Sequence, residues 1–369
     1  MWAAPTIDRP RRPRPLSSHP LDVVLHVGMG KSGTSSVQFF LRDNRDALSE
    51  QGVLYPRSPG GARHGQLSLF AKSPDELAQS PDWARRQETD PIAFRRRLRR
   101  RLSAEIDESG LSRVLLSDEV LFGLAPEALR RLRRLLGPTV RSLRVVAYLR
   151  RQDDHLVSRY QEGVKIGWVR RLDDWAQEDM SDLYDYAARL RLHQRVLAPD
   201  ELVVRRFEPP RFDGGSLFQD FLDAAGIGVS ADTLDQVPQR NVSLDAETVE
   251  FLRLVNLYRV EAEGAVPGVI DNRTLVARLS AGSNGPVLTL PAALLDRFMA
   301  RWEETNRQVA ADHFGESGPL FTVPRKTAGT TTEQRLDPGR LDDLFALSGL
   351  PEELRAPLRA IAEREAAAA

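Results

Sequence analysis

The sequence predicts an α/β protein, a single domain with a central parallel β-sheet flanked by helices. Three observations point there. Five short apolar, β-branched runs alternate with helical patterns along the chain. The first run passes directly into a Gly/Ser-rich turn and then a helix. The order and spacing of the runs leave room for a helical crossover between successive strands, which is what parallel pairing requires.

Composition bounds the function. With 369 residues, 41% hydrophobic and 28% charged, the chain has material for a substantial core. Its formal net charge is +0, so no global field draws in nucleic acid or an anionic membrane, and any polyanion must be met locally. There is no cysteine, which excludes disulfides and thiolate catalysis. Of 52 basic residues only Lys31, Lys72, Lys165 and Lys326 are lysine. In so arginine-rich a chain, Lys31 stands out inside its turn, because a compact ammonium suits a single phosphate or sulfuryl oxygen.

Residues 1–20 carry five prolines and four arginines with few apolar residues, and are expected to form a disordered arm. The arm lacks the apolar stretch of a secretory signal. No later stretch approaches the ~18 apolar residues of a membrane span, so a cytoplasmic location is expected.

The first strand is read at Val23, Val24, Leu25 and Val27. Gly28 and Gly30 let the backbone bend closely around a ligand. Lys31, Ser32, Gly33, Thr34, Ser35 and Ser36 then supply an ammonium, hydroxyls and small residues whose amides can converge at the start of a helix bearing Val37, Phe39, Phe40 and Leu41. That is an anion site. The nucleotide-triphosphate loop, G-x-x-x-x-G-K-[ST], fits in part: Gly30-Lys31-Ser32 supplies its end, but Leu25 stands where its first glycine belongs.

Val53-Leu54-Tyr55 reads as a second strand, followed by a Gly/Pro loop carrying His64. Loops at strand C-termini line the ligand crevice of open α/β sheets, so His64 is expected to face the same cleft as Lys31. Residues 74–106 read as helical, with Phe94, Leu98 and Leu102 on one face and six arginines between them, either a solvated face or a surface for an acidic partner. Arg113 to Ser117 is the third strand, ending in Asp118 and Glu119.

The fourth strand, Leu143 to Leu149, runs into Arg150, with Ser158 and Tyr160 on the helix that follows. A strand-end guanidinium and a hydroxyl on the next helix can grip one phosphate from two sides. Residues 168–197 read as helical, with aromatics assigned to the core. Leu202 to Phe207 is the fifth strand, and Ser216 caps an amphipathic helix. Arg240 and Asn241 lie in a polar segment before the helices of 246–314. A domain over 21–325 and a helical C-terminal tail over 326–369 are expected.

Two of these stretches resemble the sulfotransferase family, as found in bacteria. The order Lys31-Ser32-Gly33-Thr34-Ser35-Ser36, between strand and helix, resembles its 5′-phosphosulfate loop. Arg150, Ser158 and Tyr160 match its 3′-phosphate motif, with Gln152 in place of the usual proline. The resemblance spans about residues 21–321 and implies a P-loop-like fold with 3′-phosphoadenosine-5′-phosphosulfate as donor. It implies transfer of the sulfuryl group to a hydroxyl or amine of a small-molecule or glycan acceptor, leaving 3′,5′-adenosine bisphosphate, with no metal. Lys31 to Ser36 would hold the 5′ end and Arg150 and Ser158 the 3′-phosphate, with Arg240, Asn241 and the Arg325-Lys326 segment as further nucleotide contacts. Family members use a glutamate or a histidine as base, so Glu119 and His64 both stand, Glu119 being preferred for its better-defined strand. The alternatives are a nucleotide kinase, with Lys31 on phosphates and Asp118 on Mg²⁺, and a non-catalytic binder of nucleotides or sulfated glycans. The acceptor and the oligomeric state are not legible.

Overall fold

The computed structural model describes residues 15–86, 88–236, 243–330 and 332–367. The expected α/β class with five parallel strands is met. The strands are β1 (Leu21–Gly28), β2 (Val53–Leu54), β3 (Arg113–Ser117), β4 (Val140–Leu149) and β5 (Glu201–Arg206), in the order β2-β3-β1-β4-β5. β1 pairs in parallel with β3, Leu25 opposite Leu116 and His26 opposite Ser117, and with β4, Leu25 opposite Val145.

A central strand covered on both faces has no solvent side, which explains why β1 carries apolar residues on both faces, Val23, Val24, Leu25 and Val27, rather than alternating. Leu21, Val23, Val24, Leu25 and Val27 are all buried. The reversal of strand order around β1 also puts its C-terminal end where a parallel sheet opens a crevice.

The chain falls into two compact units. The first runs through Tyr148 and takes in Arg189–Arg205 and the segment after Pro209. Its helices include α1 (Thr34–Asp43), α2 (Gln66–Ala71), α3 (Pro91–Ser109) and α4 (Pro126–Leu136). Phe40 of α1 stacks on Phe218 at 4.4 Å between ring centres, and Leu69, Leu77, Trp83, Phe94 and Leu98 form a second apolar cluster. At the described end of the N-terminal arm, Leu16 is buried and the Ser17 and Ser18 hydroxyls donate to Asp107 at 2.8 and 2.9 Å.

The second unit comprises Leu149–Ala188, Arg206–Glu208 and the C-terminal part of the chain. Its helices include α5 (Gln152–Lys165), α6 (Ala246–Glu263) and α7 (Arg355–Ala367), with α6 packed against both others. Arg253 of α6 is buried, paired with Glu250 at 2.6 Å and with Glu365 of α7 at 2.8 Å. Residues 168–197 are not one helix but Leu172–Ala176, Ser181–Tyr184 and Tyr186–Leu197. Tyr184 and Tyr186 are both fully buried, and two residues apart they could not share one helix face, so the chain breaks at Asp185. No described helix is long and apolar enough to cross a membrane.

Candidate functional site

The turn after β1 is anchored to the sheet by two bonds to one carbonyl. The Met29 amide donates to the Tyr148 carbonyl at 2.9 Å, and the Ser32 hydroxyl donates to the Met29 carbonyl at 2.5 Å and toward Tyr148 at 3.4 Å. Ser32 and Thr34 are buried, Lys31, Gly33 and Ser36 half-buried, and Ser35 exposed. Lys31 has a φ of 63°, unusual for a residue with a Cβ, so the turn is held in a left-handed bend at its one lysine. The helix that follows starts bare. Its N-cap, Gly33, has no side chain to offer, and its first turn contains no acidic residue. The start of the helix thus carries neither a side-chain cap nor an acidic residue of its own first turn, and its dipole favours negative charge there.

Glu119 lies against this turn. It opens a short 3₁₀ segment, Glu119–Gly123, whose N-cap is Asp118. A Cβ on Gly28, where φ is 105°, would fall 2.8 Å from both the Cα and the carbonyl oxygen of Glu119; one on Gly30 would fall 3.6 Å from its Cγ. The bare glycine backbone is what admits the glutamate. Glu119 Oε2 accepts from Gln38 Nε2 at 2.6 Å, and Oε1 lies 3.5 Å from Arg63 Nε.

Asp118 has a different fate. It is fully buried, and it accepts from Arg63 Nε at 2.8 Å, the Ser68 amide at 3.1 Å and the Val120 amide at 3.2 Å. Burial raises its pKa, with the Arg63 charge opposing. Burial acts to lower the pKa of Arg63, but the charges of Asp118 and Glu119 prevail and raise it. The two adjacent carboxylates thus divide into a structural one and one beside the turn.

His64 is a correction to the sequence expectation. Its ring is fully buried rather than cleft-facing. Nε2 donates to the Pro56 carbonyl at 2.8 Å and Nδ1 accepts from the Ser117 amide at 3.1 Å, while the His64 amide donates to the Ser117 carbonyl at 2.9 Å. Burial lowers its pKa to about 3. The histidine bolts its loop onto β3, and both ring nitrogens are spent on that task.

In the second unit, Arg150 lies one residue ahead of Arg151, the N-cap of α5, and Ser158 lies half-buried within the helix. The Arg150 guanidinium stands over the Phe207 ring at 5.8 Å, and its carbonyl accepts from Tyr186 at 2.6 Å. Burial pushes its pKa down, with Asp154 the leading opposing charge. Arg325 and Lys326 come to the start of the same helix, Arg325 Nε 3.5 Å from Asp153 and the Lys326 amide donating to Asp154 at 2.9 Å. Tyr160, the third place of the motif, is buried, donating to the Arg170 carbonyl at 2.7 Å and accepting from Gln334 at 2.6 Å. Arg240 and Asn241 lie outside the described residues.

Three of the six arginines of the basic helix α3 are engaged inside its own unit. Arg95 donates to the carbonyls of Phe70 and Lys72, closing the end of α2. Arg97 pairs with Glu88, and Arg99 donates to the carbonyls of Arg134 and Leu135, closing the end of α4. Arg96, Arg100 and Arg101 remain exposed. A cavity of about 480 Å³ is lined by Ser58, Gly60, Gly61, Gln66, Arg101 and Glu105 among others. Among the described residues no group of three or more His, Asp or Glu could hold a metal ion.

Two residues of this constellation were not singled out from sequence. Gln38 is a polar residue inside the apolar stretch Val37 to Leu41, and that break in pattern is a signal. Arg63 carries none.

No family model matches the chain. An uncharacterized protein of Archaeoglobus fulgidus is 27% identical over 202 residues, 55% of this chain and 54% of that protein, so the chain spans about half the length of the curated relative it matches. Among solved structures the chain is similar to a sulfotransferase from Alicyclobacillus acidocaldarius, at 19% identity and a TM-score of 0.38, covering 67% of this chain and 96% of that one.

Proposed function

We propose that the chain is a sulfotransferase that moves the sulfuryl group of 3′-phosphoadenosine-5′-phosphosulfate to a hydroxyl or amine acceptor. The observation that carries the reading is Glu119, packed by its backbone and Cγ against Gly28 and Gly30 of a lysine-bearing turn that leads into a helix without a side-chain cap. A positive, donor-rich pocket suits the 5′-phosphosulfate, and a carboxylate at its edge suits proton removal from an acceptor.

In the proposed step the acceptor oxygen or nitrogen attacks sulfur in line as the bond between sulfur and the 5′-phosphate oxygen breaks. The acceptor's proton passes to Glu119. Lys31 and the turn amides take up the charge that gathers on the departing phosphate. Arg150 and Ser158 are assigned to the 3′-phosphate on the strength of their motif. Glu119 is favoured over His64 because the histidine's ring nitrogens are occupied. A kinase reading needs Asp118 for Mg²⁺, and the saturation of that carboxylate by Arg63 and two amides weighs against it.

The test is calorimetric titration with 3′,5′-adenosine bisphosphate, beside ATP with Mg²⁺, on the unaltered chain, Lys31→Ala and Arg150→Ala. The expected result is bisphosphate binding that Arg150→Ala weakens by more than ~2 kcal/mol, with weak ATP binding. Preferential binding of Mg-ATP, indifferent to Arg150, would overturn the reading.

A further inference from the structure

A glutamine is an expensive choice for the apolar face of a helix, because its amide must find partners once buried. Gln38 is buried on α1 between Val37 and Phe40, where a leucine or methionine would pack without that cost. Its Nε2 donates to Glu119 Oε2 at 2.6 Å and to the Ser117 hydroxyl at 3.3 Å. The direction is fixed by chemistry, since an amide nitrogen only donates. Ser117 Oγ lies in turn 2.8 Å from Nδ1 of His26, a fully buried ring on β1. The glutamine therefore joins Glu119 to a hydrogen-bonded pair spanning β1 and β3.

Gln38 also stands four residues after Thr34, one helical turn below the bare start of α1. The helix whose end supplies the anion pocket is thus the helix that holds the carboxylate. Arg63 approaches the other carboxylate oxygen at 3.5 Å, so each oxygen has one neighbour and keeps lone-pair capacity for an acceptor proton.

We infer that Gln38 is a positioning residue, fixing the Glu119 carboxylate relative to the anion-binding end of α1. The inference rests on the reading of Glu119 as the base. A glutamate side chain has several rotatable bonds to lose on being fixed, and a base displaced by about 1 Å costs on the order of a hundredfold in rate. One short hydrogen bond from a rigid helix removes that freedom before the acceptor arrives.

The experiment compares the unaltered chain with Gln38→Met, which keeps the volume and loses the donor, and Gln38→Asn, which keeps an amide too short to reach. Each is also made in a Glu119→Ala background. Sulfuryl transfer is followed from radiolabelled donor to a panel of sugars, phenols and amines, and 3′,5′-adenosine bisphosphate affinity is measured on the same samples. The expected result is a drop of about 10- to 100-fold in kcat for both variants, with donor KM and bisphosphate affinity within about twofold. Without Glu119 the Gln38 changes should have no further effect. An unchanged kcat, a parallel loss of bisphosphate affinity, or a loss that persists without Glu119 would overturn the positioning role alone. An unaltered chain that neither binds the bisphosphate nor transfers would overturn the functional reading and this inference with it.

Discussion

Gly28, the last residue of β1, and Glu119, the second residue past β3, meet backbone to backbone: a Cβ on the glycine would lie 2.8 Å from the glutamate's Cα and carbonyl oxygen. The contact joins the glycine turn after β1 to the glutamate that follows β3. Gly28→Ala places a methyl group in that contact at a φ of 105°. We expect a loss of about 2–3 kcal/mol, read as a lower urea midpoint, from overpacking and backbone strain together. A midpoint within error of the unaltered chain would refute the contact.

Asp118 and Arg63 test the division of labour between the adjacent carboxylates. Asp118→Ala strips the acceptor from Arg63 Nε and from the amides of Ser68 and Val120. The expected cost is about 2 kcal/mol in chemical denaturation, because the buried Ser68 amide loses its acceptor while Arg63 keeps Glu119 nearby. Glu119→Ala, at a partly exposed position, should cost under about 1 kcal/mol. Equal losses would contradict the assignment.

Acid should destabilise the fold through its buried histidines. Burial lowers the pKa of His26 and His64 to about 3 and that of His193 to about 4, from 6.5. As pH falls through 6.5 the unfolded chain takes up protons that the folded chain refuses until about pH 3–4. The contribution is therefore whole above about pH 6.5 and shrinks as pH falls, by about 1.4 kcal/mol per pH unit for each histidine inside that window. Denaturation at pH 7.5 and pH 5 measures it. Equal stabilities would show that the rings are not buried neutral.

Arg99 lies in the densest basic run, yet its guanidinium donates to the carbonyls of Arg134 at 2.6 Å and Leu135 at 2.9 Å. Arg99→Ala should cost about 1 kcal/mol of stability and leave retention on an anionic resin unchanged. A large loss of retention with no loss of stability would return the helix to the role of a polyanion surface.

Strand positions were legible because a buried parallel strand is apolar throughout, and only their ends moved: β1 was read from Val23 and starts at Leu21, and β4 from Leu143 and starts at Val140. The turn chemistry from Gly28 to Ser36 was legible for the same local reason, since a strand, a glycine turn and a helix start are written in consecutive residues. The break at Asp185 was not, because it follows from two tyrosines finding separate packing partners.

The sequence by itself determined the α/β class and the strand, glycine turn and helix start that follow one another from β1 to α1, properties set by periodicity and by neighbours along the chain. Only the tertiary structure decided what His64, Asp118, Glu119 and Gln38 do. Each is a polar group whose role depends on which donor or acceptor lies opposite when it is buried. His64 finds the Pro56 carbonyl and the Ser117 amide, Asp118 finds Arg63, and Glu119 finds Gln38. Those partners stand 8 to 81 positions away along the chain, and it is the parallel pairing of β1 with β3 that brings the most distant of them together.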